Sequence, residues 1–297
     1  MRRFFYTQPN SLQVGSTLPL TEDIFHHWCK VLRASMGEQA LFFDGQGGEY
    51  TVTLTDITKK QALVTINDFN PINRALPFTV NIALVMSRGE RMDYAIQKAT
   101  ELGVSSIQLL TSQHGEVRLK ADQADKKLAH WQQVAVSACE QCGLNRPPLI
   151  LAPVAISQWL QSFDTESSIE VNDRTEINND SNNKAVLTNK VVSVSSIVAK
   201  LSQDSYYQVL YNQADIKLML SVPSADQPLT PATLSSVLTQ SLPYIELLIG
   251  PEGGLSPAEC QQAEQVGFLP WQIGNRVLRT ETAPVVALAT LYAFSHY

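Results

Sequence analysis

The sequence predicts an α/β protein in which a small β-barrel domain precedes a larger domain of alternating strands and helices. The first observation is length, because 297 residues, 44% of them hydrophobic, exceed the about 150 residues of an ordinary domain. The second is a change in the hydrophobic pattern along the chain, from short apolar runs between turns to strands separated by helical patterns. The third is ordinary glycine and proline usage, 14 and 15 residues, which excludes collagen-like chains.

The first domain is predicted to span 1–72 and to consist of short strands. Turn residues separate its apolar runs, a spacing typical of a small barrel or sandwich. A helical pattern at 21–32 interrupts the strands, and Thr21 is expected to cap that helix. Pro71 and Pro77 flank a segment without periodicity, which we interpret as the linker. The predicted strands contain the runs 41–43, 50–54 and 62–66.

The second domain is predicted to span 78–297 and to form a parallel sheet covered by helices. A stretch at about 164–190, rich in Asn, Asp, Glu and Ser, buries too little apolar surface to offset its ordering entropy. We interpret it as an inserted surface loop. The predicted strands are 78–86, 104–110, 206–211, 218–222, 245–249 and 271–273. The predicted helices are 90–102, 122–142, 231–240, 257–266 and 281–294.

The net charge of −6 arises late in the chain, since residues 131–297 carry eight basic and fifteen acidic side chains. The nearly neutral first 130 residues leave room for a local basic surface in an acidic protein. No apolar signal region follows the two N-terminal arginines, and no run approaches 18 apolar residues. We therefore expect a cytoplasmic protein with no membrane partner.

Four cysteines are too few for a disulfide scaffold of this length. Cys139 and Cys142 have the spacing of a redox pair or of half a zinc site. However, the sequence holds neither a second such pair nor an HxxxH partner, and the two cysteines do not begin a helix after a strand. We expect no metal.

The most informative segment joins an apolar strand to a helix through a glycine-rich loop. Gly250, Gly253 and Gly254 are expected to adopt positive φ angles and to let the backbone approach a ligand closely, with amides free to donate. Ser256 begins the helix, and Glu259 completes a capping box. A plain turn needs one glycine, so three favour a ligand loop. The segment matches neither GxGxxG nor GxxxxGK[ST].

A second polar segment, 273–283, precedes the apolar pattern of the last helix. Thr280 is expected to cap this helix, and Glu281 suits its first turn. Starting and capping the helix does not explain Arg276 and Arg279, because neither a helix N-terminus nor a core requires cations. The segment is therefore a candidate functional site.

Together the two segments resemble the paired C-terminal motifs of the RsmE family, the small-subunit (16S) ribosomal RNA uridine-N3 methyltransferases of the SPOUT class. The motifs are Gly-Pro-Glu-Gly-Gly-Leu-Ser at 250–256 and Gly-Asn-Arg-Val-Leu-Arg-Thr-Glu-Thr-Ala at 274–283. Three further blocks agree, at 86–98, 101–104 and 139–143, so the resemblance covers nearly the whole chain.

The resemblance implies a PUA-like β-barrel that helps to hold RNA and a SPOUT domain with a deep trefoil knot, a topology that general rules disfavour. It also implies a homodimer, with small-subunit ribosomal RNA or the assembled 30S subunit as substrate. S-adenosyl-L-methionine is expected on the backbone of the two motifs, and Gly253→Val is expected to abolish its binding. By this resemblance the cofactor-binding residues are Leu248, Ile249, Gly250, Pro251, Glu252, Gly253, Gly254, Ile273, Gly274, Val277, Leu278, Thr280 and Thr282.

Methylation at N3 of uridine requires that this nitrogen lose its proton, so the site has to assist a developing anion. Arg279 is expected to stabilise charge on the uracil oxygens, and Glu281 to accept or relay the proton. Each could instead position a phosphate or pair with the other. The basic residues expected to bind RNA are Arg2, Arg3, Lys30, Arg33, Arg88 and Arg91.

Three positions depart from the family pattern, which usually has proline at Asn275 and commonly has arginine at His114 and Leu144. The last two remove cations that could contact RNA. Two other functions stay open. A non-catalytic dimeric RNA-binding module would leave the cofactor loop empty, and a nucleotide-dependent enzyme with a doubly wound sheet would need a phosphate loop after its first strand. The segment 86–90 holds a single glycine and is a poor phosphate loop.

Overall fold

The computed structural model describes residues 1–6, 12–119, 121–166, 207, 214–221, 231–238 and 243–295. The chain divides into two compact units, the first comprising Met1–Leu76 and Ala135–Pro147, and the second Pro77–Val134 and Pro148–Tyr297. The predicted insertion at 164–190 and the predicted strand at 206–211 lie outside the described residues, except that 164–166 end a helix and Tyr207 is helical.

The first unit contains one mostly antiparallel sheet. Its strands are β1 (Arg2–Phe5), β2 (Thr17–Pro19), β3 (Gln39–Phe43), β4 (Glu49–Ile57) and β5 (Ala62–Asn70), in the order β1-β3-β4-β5-β2. Only the β1–β3 pair is parallel among these strands. In β5, Ala62, Val64 and Ile66 are fully buried while the residues between them are partly exposed. This period of two is the pattern that predicted a strand from the sequence.

The predicted helix of the first unit has an unusual form. A single turn, α1 (Glu22–Ile24), continues into a π-helical segment, Phe25–Val31. Trp28 of that segment is fully buried, with the Phe4 ring 5.3 Å away. Thr21 occupies the predicted N-cap position, but its side chain makes no capping hydrogen bond. Apolar spacing reveals a helical face but not the wider π-helical winding.

The second unit contains a sheet of six parallel strands, which confirms the predicted α/β class. The strands are β6 (Thr79–Val85), β7 (Ser106–Thr111), β8 (Leu149–Ala155), β9 (Ile216–Leu220), β10 (Tyr244–Ile249) and β11 (Leu269–Trp271), in the order β11-β9-β10-β6-β7-β8. Its helices are α2 (Glu90–Glu101), α3 (Ala121–Cys142), α4 (Ile156–Glu166), α5 (Pro231–Leu238), α6 (Pro257–Gln265) and α7 (Ala283–Phe294), except that α3 from Ala135 onward belongs to the first unit.

Strand β8 and helix α4 are absent from the sequence prediction. Two prolines precede the run Leu149–Ala155, which begins with three aliphatic residues. Strand β11 lies two residues before its predicted position, and α7 begins two residues later than predicted. Within the described residues, no helix has both the length and the apolar character that crossing a bilayer requires.

Strand β6 lies between β10 and β7 and is the point where the direction of sheet growth changes. The chain adds β7 and β8 on one side of β6, whereas β9, β10 and β11 lie on the other. In parallel sheets, ligand sites lie beyond the carboxyl ends of the strands at such a point. The loops that follow β6 and β10 meet this condition.

Candidate functional site

The loop after β10 makes a tight turn before α6. Gly254 has a φ of 73°, a conformation that favours glycine. Its main-chain N–H donates to the Pro251 carbonyl at 2.9 Å, which closes the turn. One of the three predicted positive φ angles is therefore present in this loop.

Gly250 and Gly253 differ from that expectation, because neither has a positive φ. At Gly250 the constraint is space, since an added Cβ would lie 3.0 Å from Leu255 Cγ. At Gly253 the nearest atom to an added Cβ is His114 Cβ, at an ordinary 3.5 Å. The backbone therefore requires glycine at 254 and favours it at 250, whereas 253 has room for a methyl group.

The predicted capping box at the start of α6 is confirmed. Ser256 N–H donates to Glu259 Oε2 at 2.8 Å, and Glu259 N–H donates to Ser256 Oγ at 3.3 Å. The other carboxylate oxygen, Glu259 Oε1, accepts from the Gln113 main-chain N–H at 2.8 Å. His114 Nδ1 lies 3.2 Å from the Gly254 carbonyl. These bonds hold the loop after β7 against the loop after β10.

The loop before α7 places its polar groups differently from the prediction. Thr282, not Thr280, occupies the N-cap position, and its side chain makes no cap hydrogen bond. Thr280 is buried, and its Oγ1 has no hydrogen-bond partner among the described residues. Glu281 Oε2 is likewise buried without a partner there. The Glu281 side chain is 14% exposed, and its Oε1 lies 4.0 Å from Nη1 of Arg279, which is 74% exposed.

A cavity of about 320 Å³ lies between these two loops and the carboxyl ends of β9 and β10. We call it the first cavity. Ten predicted cofactor residues line it: Ile249, Gly250, Pro251, Glu252, Gly253, Gly254, Ile273, Val277, Leu278 and Thr280. It is also lined by Met219, Leu220, Ser221, Leu255, Cys260, Arg276 and Ala283, which lie outside the predicted cofactor set.

Three predicted cofactor residues do not line the first cavity. Leu248 is fully buried inside the sheet, in register with Met219 of β9. Gly274 has a φ of 77° and shapes the second loop, and Thr282 donates its N–H to the Arg279 carbonyl at 2.9 Å. The missed residues of β9 could be found only from the strand order, because sequence alone does not make β9 the neighbour of β10.

Cys260 is the thiol in the wall of the first cavity. Burial raises the pKa of this thiol, and the nearby Glu264 and Glu259 carboxylates raise it further. The side chain is therefore a neutral thiol at neutral pH. Within the described residues, no group of three or more His, Cys, Asp or Glu is placed to hold a metal ion.

A second cavity, of about 540 Å³, shares Pro251, Glu252 and Gly253 with the first. Its other lining residues come from the loops after β6 and β7 and from α2: Met86, Ser87, Arg88, Arg91, His114 and Glu116. Both arginines have acidic partners. Arg91 Nη1 pairs with Glu252 Oε1, and Arg88 Nε pairs with Glu116 Oε2 at 3.1 Å.

The four candidate RNA-binding residues of the first unit have different environments. Arg3 is only 10% exposed and donates to Glu49 Oε1 at 2.7 Å and to the Gly143 carbonyl at 3.0 Å. Arg2 is 42% exposed and lies 3.8 Å from Glu38. Lys30 and Arg33 are exposed, and Lys30 Nζ donates to the Lys59 carbonyl at 3.1 Å. Arg3 therefore belongs to the interior, while the other three present cations at the surface.

Two domain families match the chain. The RNA methyltransferase domain family matches residues 74–199 and 181–292, and the RNA methyltransferase PUA domain family matches residues 20–67. The first match covers more than half of the chain and contains both cavities.

Similar proteins extend over nearly the same length. Ribosomal RNA small subunit methyltransferase E of Buchnera aphidicola subsp. Acyrthosiphon pisum is 27% identical over 274 residues, 92% of this chain and 86% of that relative. The structure of the enzyme of that name from Neisseria gonorrhoeae, bound to S-adenosyl methionine, is 29% identical with a TM-score of 0.71, covering 99% of this chain and 97% of that one. A Legionella pneumophila structure in complex with bound SAM is 30% identical with a TM-score of 0.73, covering 98% and 96%.

Proposed function

The chain belongs to the RNA methyltransferase domain family, and we propose that it transfers a methyl group from S-adenosyl-L-methionine to N3 of a uridine in small-subunit ribosomal RNA. The first cavity carries this proposal, because two glycine-containing loops wall it at the carboxyl ends of β9 and β10. Relatives named as small-subunit ribosomal RNA methyltransferases support the substrate class. The SAM bound in two similar structures supports the methyl donor.

The first cavity fits the donor in size and chemistry. Its volume of about 320 Å³ lies within the range of small-molecule sites, about 300–1,000 Å³. Met219, Ile249 and Leu278 offer apolar walls to a nucleoside, and loop amides offer donors. The buried Thr280 Oγ1, which lacks a partner among the described residues, suits a hydrogen bond to a polar atom of the ligand. When bound, S-adenosylmethionine supplies a methyl group on a positively charged sulfur.

The reaction needs a group that takes the proton from N3 of the uracil ring. Glu281 is our candidate. It lines neither cavity, but it directly follows Thr280 of the first cavity's wall, its Oε2 is buried without a partner among the described residues, and its side chain is mostly shielded from water. Arg279 is well exposed beside it and can stabilise charge that develops on a uracil oxygen. Positioning of the two reactants contributes the rest of the acceleration.

The second cavity is the place where we expect the acceptor strand to bind. Arg88 and Arg91 lie on its wall, and it shares three residues with the first cavity, so a nucleotide there lies next to the methyl donor. Arg2, Lys30 and Arg33 are proposed to contact phosphates elsewhere along the RNA. We do not propose that Arg3 contacts RNA, because its side chain is mostly buried and pairs with Glu49 inside the first unit.

We also propose a homodimer that uses α7. This helix packs against α2, and both present an exposed tyrosine, Tyr292 and Tyr94. Val285, Val286 and Ala289 of α7 add partly exposed or exposed apolar surface. A stable interface has to bury more than about 1,000 Å² in total. Sedimentation that gives an active monomer at micromolar concentration contradicts the dimer.

The experiment for the function uses methyl-labelled S-adenosylmethionine and small ribosomal subunits that lack the modification. We expect label in the ribosomal RNA with the wild-type protein and at least a hundredfold slower labelling with Glu281→Gln, since a general base contributes about 10²–10⁴ in rate. Glu264→Gln, an exposed carboxylate on α6, is the matched control and should label at the wild-type rate. RNA binding without label transfer would instead support a non-catalytic RNA-binding module.

A further inference from the structure

The two cavities are connected by one ion pair. Glu252 lines both of them, whereas its partner Arg91 lines only the second. The two side chains are 47% and 50% exposed, so each can separate from the other without leaving a buried charge. Glu252 therefore acts electrostatically on ligands in both cavities. Its effect in the first cavity depends on whether Arg91 in the second cavity still pairs with it.

The neighbouring pair has no such connection. Arg88 and Glu116 lie 3.1 Å apart, and both line the second cavity alone. Arg88 is 71% exposed and Glu116 66% exposed. The Arg88–Glu116 pair is therefore a control for effects that arise because Glu252 lines both cavities.

From this geometry we propose that the Arg91–Glu252 pair is a charge switch that makes the first cavity prefer the methylated donor when RNA is bound. A phosphate in the second cavity competes with Glu252 for Arg91. The released carboxylate then lies unpaired on the wall of the first cavity. This proposal rests on the proposed function and adds to it a regulation of the same site.

The sign follows from the charges of the ligands. S-adenosylmethionine carries a positive sulfonium, and loss of its methyl group leaves S-adenosylhomocysteine, a neutral thioether. A free Glu252 carboxylate therefore attracts the donor more than the product. Arg276 is the other charged side chain on the first cavity, and it does not line the second. Because coupling is reciprocal, bound donor raises the affinity for RNA, and this gain is lost when the methyl group leaves and the neutral product remains.

The test compares the affinities of S-adenosylmethionine and S-adenosylhomocysteine by calorimetry without RNA. Arg91→Gln imitates the RNA-bound state, since it leaves Glu252 without its partner. We expect the ratio of donor to product affinity to rise about two- to fivefold, the size expected for a half-exposed charge pair. Glu252→Gln should lower the ratio, and in the double variant Arg91→Gln should have no further effect.

Arg88→Gln and Glu116→Gln are the matched controls and should leave the ratio unchanged. Oligouridylate added to the wild-type protein should raise the ratio as Arg91→Gln does, and should leave it unchanged in Glu252→Gln. An unchanged ratio in Arg91→Gln, or an equal rise in Arg88→Gln, overturns the charge switch while leaving the methyltransferase proposal intact. Failure of the wild-type protein to bind either ligand overturns the methyltransferase proposal itself.

Discussion

The Glu259 carboxylate accepts the Gln113 main-chain N–H at 2.8 Å, and this bond ties the loop after β7 to the loop that walls the first cavity. The second oxygen of the same carboxylate accepts from Ser256 N–H, also at 2.8 Å. A residue that looks in the sequence like a simple helix cap therefore holds two loops in position. This arrangement makes Glu259 a positioning residue for the candidate cofactor site.

The first prediction concerns Glu259→Gln. Glutamine keeps one acceptor oxygen and replaces the other by an NH2 donor. One main-chain N–H, the buried one of Ser256 or the part-buried one of Gln113, therefore loses its partner. We expect the free energy of unfolding to fall by about 1–3 kcal/mol and S-adenosylmethionine affinity to fall several-fold. Urea denaturation and calorimetry measure the two effects. Glu264→Gln on the exposed side of the same helix should change neither.

The second prediction separates the loop glycines by their geometry. Gly254→Ala should destabilise the protein by about 1–2 kcal/mol, because alanine is strained at a φ of 73°. Gly253→Ala should be nearly neutral, since its added methyl group meets no atom closer than 3.5 Å. Thermal unfolding of the pair gives the comparison. Equal losses in the two variants would contradict the turn geometry.

The third prediction concerns acid stability through Glu49. Burial raises the pKa of this carboxyl, but hydrogen bonds from Arg74 and Arg3 outweigh burial and bring the pKa below its ordinary 4.5. The stabilisation is therefore present above about pH 4.5 and is lost as the pH falls through the lowered pKa. Glu49→Gln should cost about 3 kcal/mol at neutral pH and flatten the loss of stability in acid.

The control for Glu49 is Glu38→Gln. Glu38 pairs with Arg2 at 3.8 Å where both side chains are more than 40% exposed, so its loss should cost under about 1 kcal/mol. Urea denaturation at stepwise lower pH follows both variants. An acid-stability profile of Glu49→Gln that parallels the wild-type profile would rule out the linkage.

The fourth prediction concerns the RNA-contacting cations. Arg88→Ala should weaken RNA binding and reduce the slope of log affinity against log salt by about 0.7, the value for one single-strand phosphate contact. Lys30→Ala and Arg33→Ala test the first unit in the same way. Arg3→Ala should lower stability instead, because Arg3 neutralises the buried Glu49. A full set of unchanged salt slopes would exclude these residues from the RNA site.

Much of the fold follows from periodicity and capping. The alternating burial in β5, the parallel strands after residue 78 and the Ser256–Glu259 capping box all depend on residues close in sequence. Strand β8 could not be predicted, because the sequence of a short apolar run does not distinguish a strand from a buried helix. The trefoil knot and the domain boundaries remain predictions.

The residues of the site that lie in glycine-rich loops could be predicted from the sequence. The residues that reach the site through the order of the strands could not. The two motifs, 250–256 and 274–283, supply eleven wall residues of the first cavity. Met219 and Ser221 join them only because β9 pairs with β10, which no local pattern reveals. Arg3 was expected to contact RNA because its charge is visible in the sequence, whereas its partner Glu49 lies 46 residues away.

Identification of the methylated nucleoside tests the central claim most directly. Small ribosomal subunits that lack the modification are incubated with the protein and methyl-labelled S-adenosylmethionine, and the ribosomal RNA is digested to nucleosides for chromatography and mass spectrometry. We expect the label in 3-methyluridine, with Glu281→Gln giving little of it. Label in any other nucleoside, or none from a protein that binds the donor, would contradict methyl transfer to N3 of uridine.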